Sequence, residues 1–121
     1  MDGSQPIFVQ IMDRIESDIV TGVYSANDLI VSTTQIAKLY MVNHTTAVKA
    51  VSKLTDAGIL YKKRGIGMCV AEGAKEQIYR KRKENFLGKK LGALLAEART
   101  LGIETEELIG MIREKEGAGH D

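Results

Sequence analysis

The run from Ser32 to Val70 constrains this chain more than any other stretch. Ser32 followed by Gln35 matches a capping box, in which the serine hydroxyl and the glutamine side chain satisfy each other's backbone N–H groups at a helix start. Ile36, Ala37, Leu39 and Tyr40 then predict one apolar side over two turns. Met41-Val42-Asn43 breaks that pattern, and Asn43 is a good N-cap for a second helix. In that helix Ala47, Val51 and Leu54 fall at helical spacing, with Ala50 and Ala57 beside them, and Gly58 marks its end. Its other face carries Thr45, Thr46, Lys49, Ser52 and Lys53, side chains of the kind that meet phosphates and base edges.

A hairpin follows. Ile59-Leu60-Tyr61 and Met68-Cys69-Val70 are short β-prone runs around the glycine-bearing turn Gly65-Ile66-Gly67. Lys62, Lys63 and Arg64 enter that turn in succession and make it a basic wing, suited to neutralising DNA phosphates. Helix, turn, helix and basic hairpin in this order predict a winged helix-turn-helix, which sets its second helix in a major groove.

Net charge does not oppose this reading. The whole chain carries a formal charge of only +1. Between Lys38 and Arg64, however, Lys38, Lys49, Lys53, Lys62, Lys63 and Arg64 face Asp56 alone, while Glu104, Glu106, Glu107, Glu114 and Glu116 gather far downstream. Local charge sets an electrostatic footprint. With two Phe and no Trp, stacking on single-stranded bases is poorly supported.

These residues resemble the GntR family of bacterial transcription regulators. The opening Pro6-Ile7-Phe8-Val9-Gln10-Ile11 is similar to the family's first helix, and Ile19-Val20-Thr21-Gly22 to its close. Asn43 to Leu54 resembles the recognition-helix pattern N-x-x-T-x-x-K-A-x-x-x-L, and Lys63-Arg64-Gly65-Ile66-Gly67 the wing tip K-R-G-x-G. The resemblance covers residues 6–71. It implies DNA contact by Thr34, Asn43, His44 and Gly65 beside the threonines and lysines already named. Thr34 stands where the family often has an arginine, so a phosphate contact there is reduced to a hydroxyl. His44 stands where Arg or Pro is common, and Cys69 where Phe is common.

About fifty residues follow Val70. That is too short for the large effector domains of most branches, and a small two-helix tail resembles the YtrA-like branch, whose tails serve dimerisation and whose genes often neighbour transporter genes. From Lys75 the chain predicts one long amphipathic helix, with Phe86, Leu87, Leu91, Leu94, Leu95, Ala98 and Leu101 on its apolar side and Gly102 as its C-cap. A second helix starting near Glu104 or Thr105 sets Leu108, Ile109 and Ile112 on one face, and the segment from Glu114 to Asp121 frays. Two helices cannot bury these stripes alone. An identical tail of a second chain would bury them in a C2 dimer; the other solution folds the tail back onto its own domain.

The expected fold is therefore α+β, mostly α: a winged helix-turn-helix over residues 1–72 and a helical dimerisation tail over 73–121. The expected partners are a double-stranded DNA operator and a second copy, with no membrane and no cofactor. An effector of unknown identity would need the dimer interface for its cavity, since the tail is small. His44 and His120 are the only histidines, and no G-x-S-x-G, P-loop, H-E-x-x-H or metal-ligand spacing occurs, so catalysis and metal binding are not expected. One cysteine precludes an intrachain disulfide, and the polar start around Asp2 lacks a basic leader; both fit a reducing cytoplasm. The competing function is a winged helix used only for protein–protein interaction, which would show apolar rather than basic residues on the helix and wing.

Overall fold

A computed structural model describes residues 5–119; Asp2, His120 and Asp121 lie outside the described residues. The chain divides into two compact units, one ending at Arg80 and the other beginning at Lys81.

The first unit is a winged helix-turn-helix. Helix α1 spans Ile7–Val20, capped by Pro6, whose fixed φ suits a helix start. Ile11, Ile15 and Ile19 recur at four-residue spacing and are all buried. Helix α2 spans Thr33–Tyr40, and the expected capping box is present: Ser32 Oγ accepts from Gln35 N–H at 3.1 Å, and Ser32 N–H donates to Gln35 Oε1 at 3.1 Å. Helix α3 spans His44–Asp56 and buries Ala47, Ala50, Val51 and Leu54 against α1 and α2. Gly58, at φ +80°, closes α3 in a Schellman turn: Ile59 N–H bonds Leu54 O at 2.9 Å and Gly58 N–H bonds Thr55 O at 3.0 Å.

The wing is an antiparallel hairpin of β1, Leu60–Lys63, and β2, Gly67–Val70, in the register Leu60↔Val70, Tyr61↔Cys69, Lys62↔Met68 and Lys63↔Gly67. A third extended segment, unpredicted from sequence, pairs with β2: Leu29 bridges Cys69, Ile30 N–H bonds Met68 O at 3.0 Å, and Val70 N–H bonds Asp28 O at 3.0 Å. Its alternation is too short for a periodicity signal, and its pairing partner lies forty residues away. Helix α4, Ala74–Asn85, begins in this unit, where Ala74 and Ile78 join the core.

One apolar position departs from expectation. Leu39 is 71% exposed, whereas Ile36 is buried and Ala37 and Tyr40 pack against the core. The buried arc of α2 is narrower than its run of apolar residues.

The second unit holds the rest of α4, a π-helical segment Phe86–Leu91, helix α5 at Gly92–Thr100 and helix α6 at Thr105–Gly119. The tail was expected to hold one uninterrupted α-helix to Leu101; the helix instead widens for six residues. Phe86 and Leu91 are five apart, the spacing of one π turn, and Gly88 between them has nothing within 4 Å of where a Cβ would stand. Gly102 ends α5 as expected, at φ +72°, with Ile103 N–H on Ala98 O at 2.9 Å. The fraying expected from Glu114 is not seen: α6 continues to Gly119. Among the described residues of this unit only Ala98 is fully buried.

The turn between α2 and α3 holds a strained residue. Met41 sits in the left-handed region at φ +54° and is 92% exposed. Its side chain gains little from packing to offset a conformation that costs an L-residue roughly 1–2 kcal/mol. Met41→Gly should therefore raise the urea midpoint, by a net stabilisation of about 0.5–1 kcal/mol after the added unfolded-state entropy of glycine. Gly58→Ala, at φ +80°, should lower it by a similar amount.

Candidate nucleic-acid interface

The interface begins at the first residue before α3. Asn43 Oδ1 accepts from Thr46 N–H at 3.2 Å, from Thr45 Oγ1–H at 2.9 Å and from Thr46 Oγ1–H at 2.7 Å. One amide oxygen thus caps the helix and fixes both threonine rotors. Each hydroxyl has its proton committed to Asn43, and faces outward with lone pairs only.

Beyond the cap, the exposed face of α3 holds His44, Thr45, Val48, Lys49, Ser52 and Lys53, with Thr46 half-buried at its margin. Lys49 and Lys53, one turn apart, lean the same way. Lys49 Nζ lies 4.1 Å from the centroid of the Phe8 ring on α1, and Lys53 Nζ lies 5.9 Å from it. A cation over an aromatic face at this range is held by about 0.5–1 kcal/mol when exposed. Phe8 therefore sets the resting direction of the two recognition-helix cations. Sequence reasoning read Phe8 only as part of the first-helix opening, because no periodicity links residues 8 and 49; only the α1–α3 packing does.

The wing supplies the second element. Lys62 and Lys63 are the last residues of β1, and Arg64, Gly65 and Ile66 form the turn, closed by Ile66 N–H on Lys63 O at 3.0 Å. Gly65 takes φ +77°, which a side chain would resist. Strand alternation sends Lys62 and Lys63 to opposite faces of the hairpin, so the three consecutive cations surround the tip rather than forming one patch. The wing root is pinned: Tyr61 Oη–H donates to Asn27 Oδ1 at 2.8 Å, and Asn27 Nδ2–H donates to Glu72 Oε1 at 3.3 Å. Desolvation, with Cys69 and Glu72 nearby, raises the Tyr61 pKa. Burial likewise raises that of Tyr40, with Arg14 opposing the shift.

The start of α2 meets the wing. Ser32, Thr33, Gln35, Val51, Ile66 and Met68 line one groove of about 250 Å³, and Thr34 lies exposed in the same first turn of α2. The fold thus gathers three sets of predicted residues into the first unit: Thr34 at the α2 start, Asn43 to Lys53 on α3, and Lys62 to Gly65 at the wing tip. Among the described residues no group of His, Cys, Asp and Glu is arranged to hold a metal ion, and no helix is long and apolar enough to cross a membrane.

A helix with an exposed polar and basic face, followed by a basic hairpin, defines a winged-helix DNA-binding protein. The chain belongs to the GntR family: the model described as "Bacterial regulatory proteins, gntR family" matches residues 8–70. It is a DNA-binding transcription regulator and not an enzyme. It is 29% identical over 111 residues to the HTH-type transcriptional repressor YtrA of Bacillus subtilis (strain 168), a match covering 92% of this chain and 85% of the relative. The crystal structure of a protein from Bacteroides thetaiotaomicron, described as a transcriptional regulator of the GntR family, is similar with a TM-score of 0.80 and 36% identity, covering 94% of this chain and 99% of that one. The AraR DNA-binding domain in complex with operator ORE1 is similar over 55% of this chain and 82% of that one, with a TM-score of 0.53 and 28% identity.

Removing the cap should be measurable without DNA. Asn43→Ala should lower unfolding stability by about 1 kcal/mol, and Asn43→Asp, which keeps the acceptor, should retain most of it. Thermal or urea denaturation of the two variants decides this.

Proposed function

We propose that this protein is a repressor that binds a near-palindromic operator as a homodimer, with α3 in the major groove and the wing against the backbone or adjacent minor groove. The observation that carries the DNA-binding geometry is the exposed face of α3, where Thr45, Lys49 and Lys53 are exposed and Thr46 is half-buried at the margin, while the wing brings Lys62, Lys63, Arg64 and Gly65 to a hairpin tip. Thr34, Asn43 and His44 complete the proposed contact set at the starts of α2 and α3. Repression is supported by the YtrA relative, which is a transcriptional repressor. An exclusively protein-binding winged helix is disfavoured because the helix and wing are cationic there.

The homodimer is supported by the second unit. Phe86, Leu87, Leu94, Leu101 and Ile112 are exposed, and Leu91, Leu95, Leu108 and Ile109 are only half-buried. Ala98 alone is fully buried among the described residues there. A helical unit with so little core of its own calls for a partner surface, and a second copy would supply one by symmetry. In this reading residues 1–72 bind DNA and residues 73–121 dimerise. Two-fold symmetry then requires half-sites one or two helical turns apart.

Two experiments test the reading. Leu94→Asp should convert a dimer to a monomer in sedimentation, since each Leu buried at the interface contributes roughly 1.5–3 kcal/mol and a buried carboxylate adds a desolvation cost; a monomeric wild type at micromolar concentration would overturn the homodimer. Lys63→Ala should weaken binding to operator and scrambled duplex alike, and make the log-affinity against log-salt slope shallower by about one. A change confined to operator would contradict a backbone role for the wing.

A further inference from the structure

The first two turns of α3 present an unusual chemical face. Thr45, Val48 and Ser52, spaced i, i+3 and i+7, fall along one exposed line of the helix. Val48 is 39% exposed, an aliphatic side chain where an exposed recognition surface would ordinarily be polar. The hydroxyl protons of Thr45 and Thr46 are committed to Asn43 Oδ1. The ammonium of Lys49 rests on the Phe8 ring of α1. Beside Val48 the two threonines therefore offer a base edge methyl groups and lone pairs, while His44 and Ser52 supply donors at either end of the line.

Base pairs differ in how they answer such a face. In the major groove an A·T pair shows the adenine N6 amino donor and the thymine 5-methyl group, whereas guanine shows two acceptors that demand a donor such as Arg or Lys. Acceptor oxygens beside an exposed valine complement the A·T edge. Resting on the proposed placement of α3 in the major groove, we propose that Val48 is a specificity-determining residue that packs on a thymine 5-methyl group, so that each half-site holds an A·T pair under the first two turns of α3.

The test uses the full chain. Duplexes bound by the wild type are selected from a random pool, and each thymine of the selected site is then replaced by uracil, which removes only the 5-methyl group. One thymine per half-site should be sensitive: uracil there should weaken wild-type binding about fourfold, the effect of one buried methyl-sized group. Val48→Ala should be indifferent to the same replacement, and pools selected with it should lose the thymine preference at that position. The site is exposed and alanine is the better helix former, so this variant should melt no lower than wild type. The wild-type uracil scan stands even without the variant. A selected site with no uracil-sensitive thymine, or equal sensitivity in Val48→Ala, would overturn the assignment of Val48 while leaving DNA binding intact. Failure of the wild type to enrich any sequence would overturn the operator reading itself, and this assignment with it.

Discussion

The proposed DNA-facing surface depends on the packing of α3 against α1. Three isoleucines at four-residue spacing on α1 meet a stripe of α3 that includes Ala47 and Ala50, and small residues at a helix contact let the axes draw together. Leu54 and Val51 fill the remainder. Through that packing Phe8, at the start of α1, lies beside Lys49 and Lys53 of α3. A larger residue at Ala50 would disturb the core and also move two cations relative to the groove face. Packing and recognition are coupled through the same pair of helices.

Much of this was legible in the sequence, for identifiable reasons. The capping box at Ser32 and Gln35, the Asn43 cap, and the glycine turns at Gly58 and Gly102 are local devices, written in residues within a few positions of each other. The hairpin was legible because β-prone runs flank glycines. What stayed hidden was non-local or depended on register. The pairing of Leu29 with Cys69 links segments forty residues apart, and Leu29 reads as a loop residue without its partner. Leu39 belongs to an apolar run yet lies outside the buried arc of α2, because amphipathic patterning gives a face and not its edges. The π segment left no trace in the sequence, because Leu87 and Leu91 keep the four-residue spacing of an ordinary α-helix.

The candidate site was legible as a set of residues but not as a set of roles. Sequence marks Thr45, Thr46 and Lys49 as equivalent polar groups on one face. The structure separates them: the threonine protons turn inward to the cap, and the lysine leans on an aromatic ring. Likewise Lys62, Lys63 and Arg64 are adjacent letters, but strand alternation distributes their charge around the wing tip. Side-chain partners decide what a residue can still offer a ligand, and those partners come from Asn43 and Phe8, which carry no charge.

The weak net charge of the chain follows from the same division of labour. A monomeric winged helix binding nonspecifically would gain from being uniformly basic, since phosphate neutralisation drives that affinity. Here the acidic residues of α6, including Glu106, Glu107 and Glu114, lie in the second unit, away in sequence from the cations of α3 and the wing. Lys38, Lys49, Lys53, Lys62, Lys63 and Arg64 face Asp56 alone in their stretch of sequence, so the excess of positive charge is local to it. A modest overall charge leaves more of the discrimination to base-edge contacts. In the proposed dimer, base-edge contacts by α3 and pairing by the tail would be complementary, because occupancy of the operator would require two half-site contacts at once.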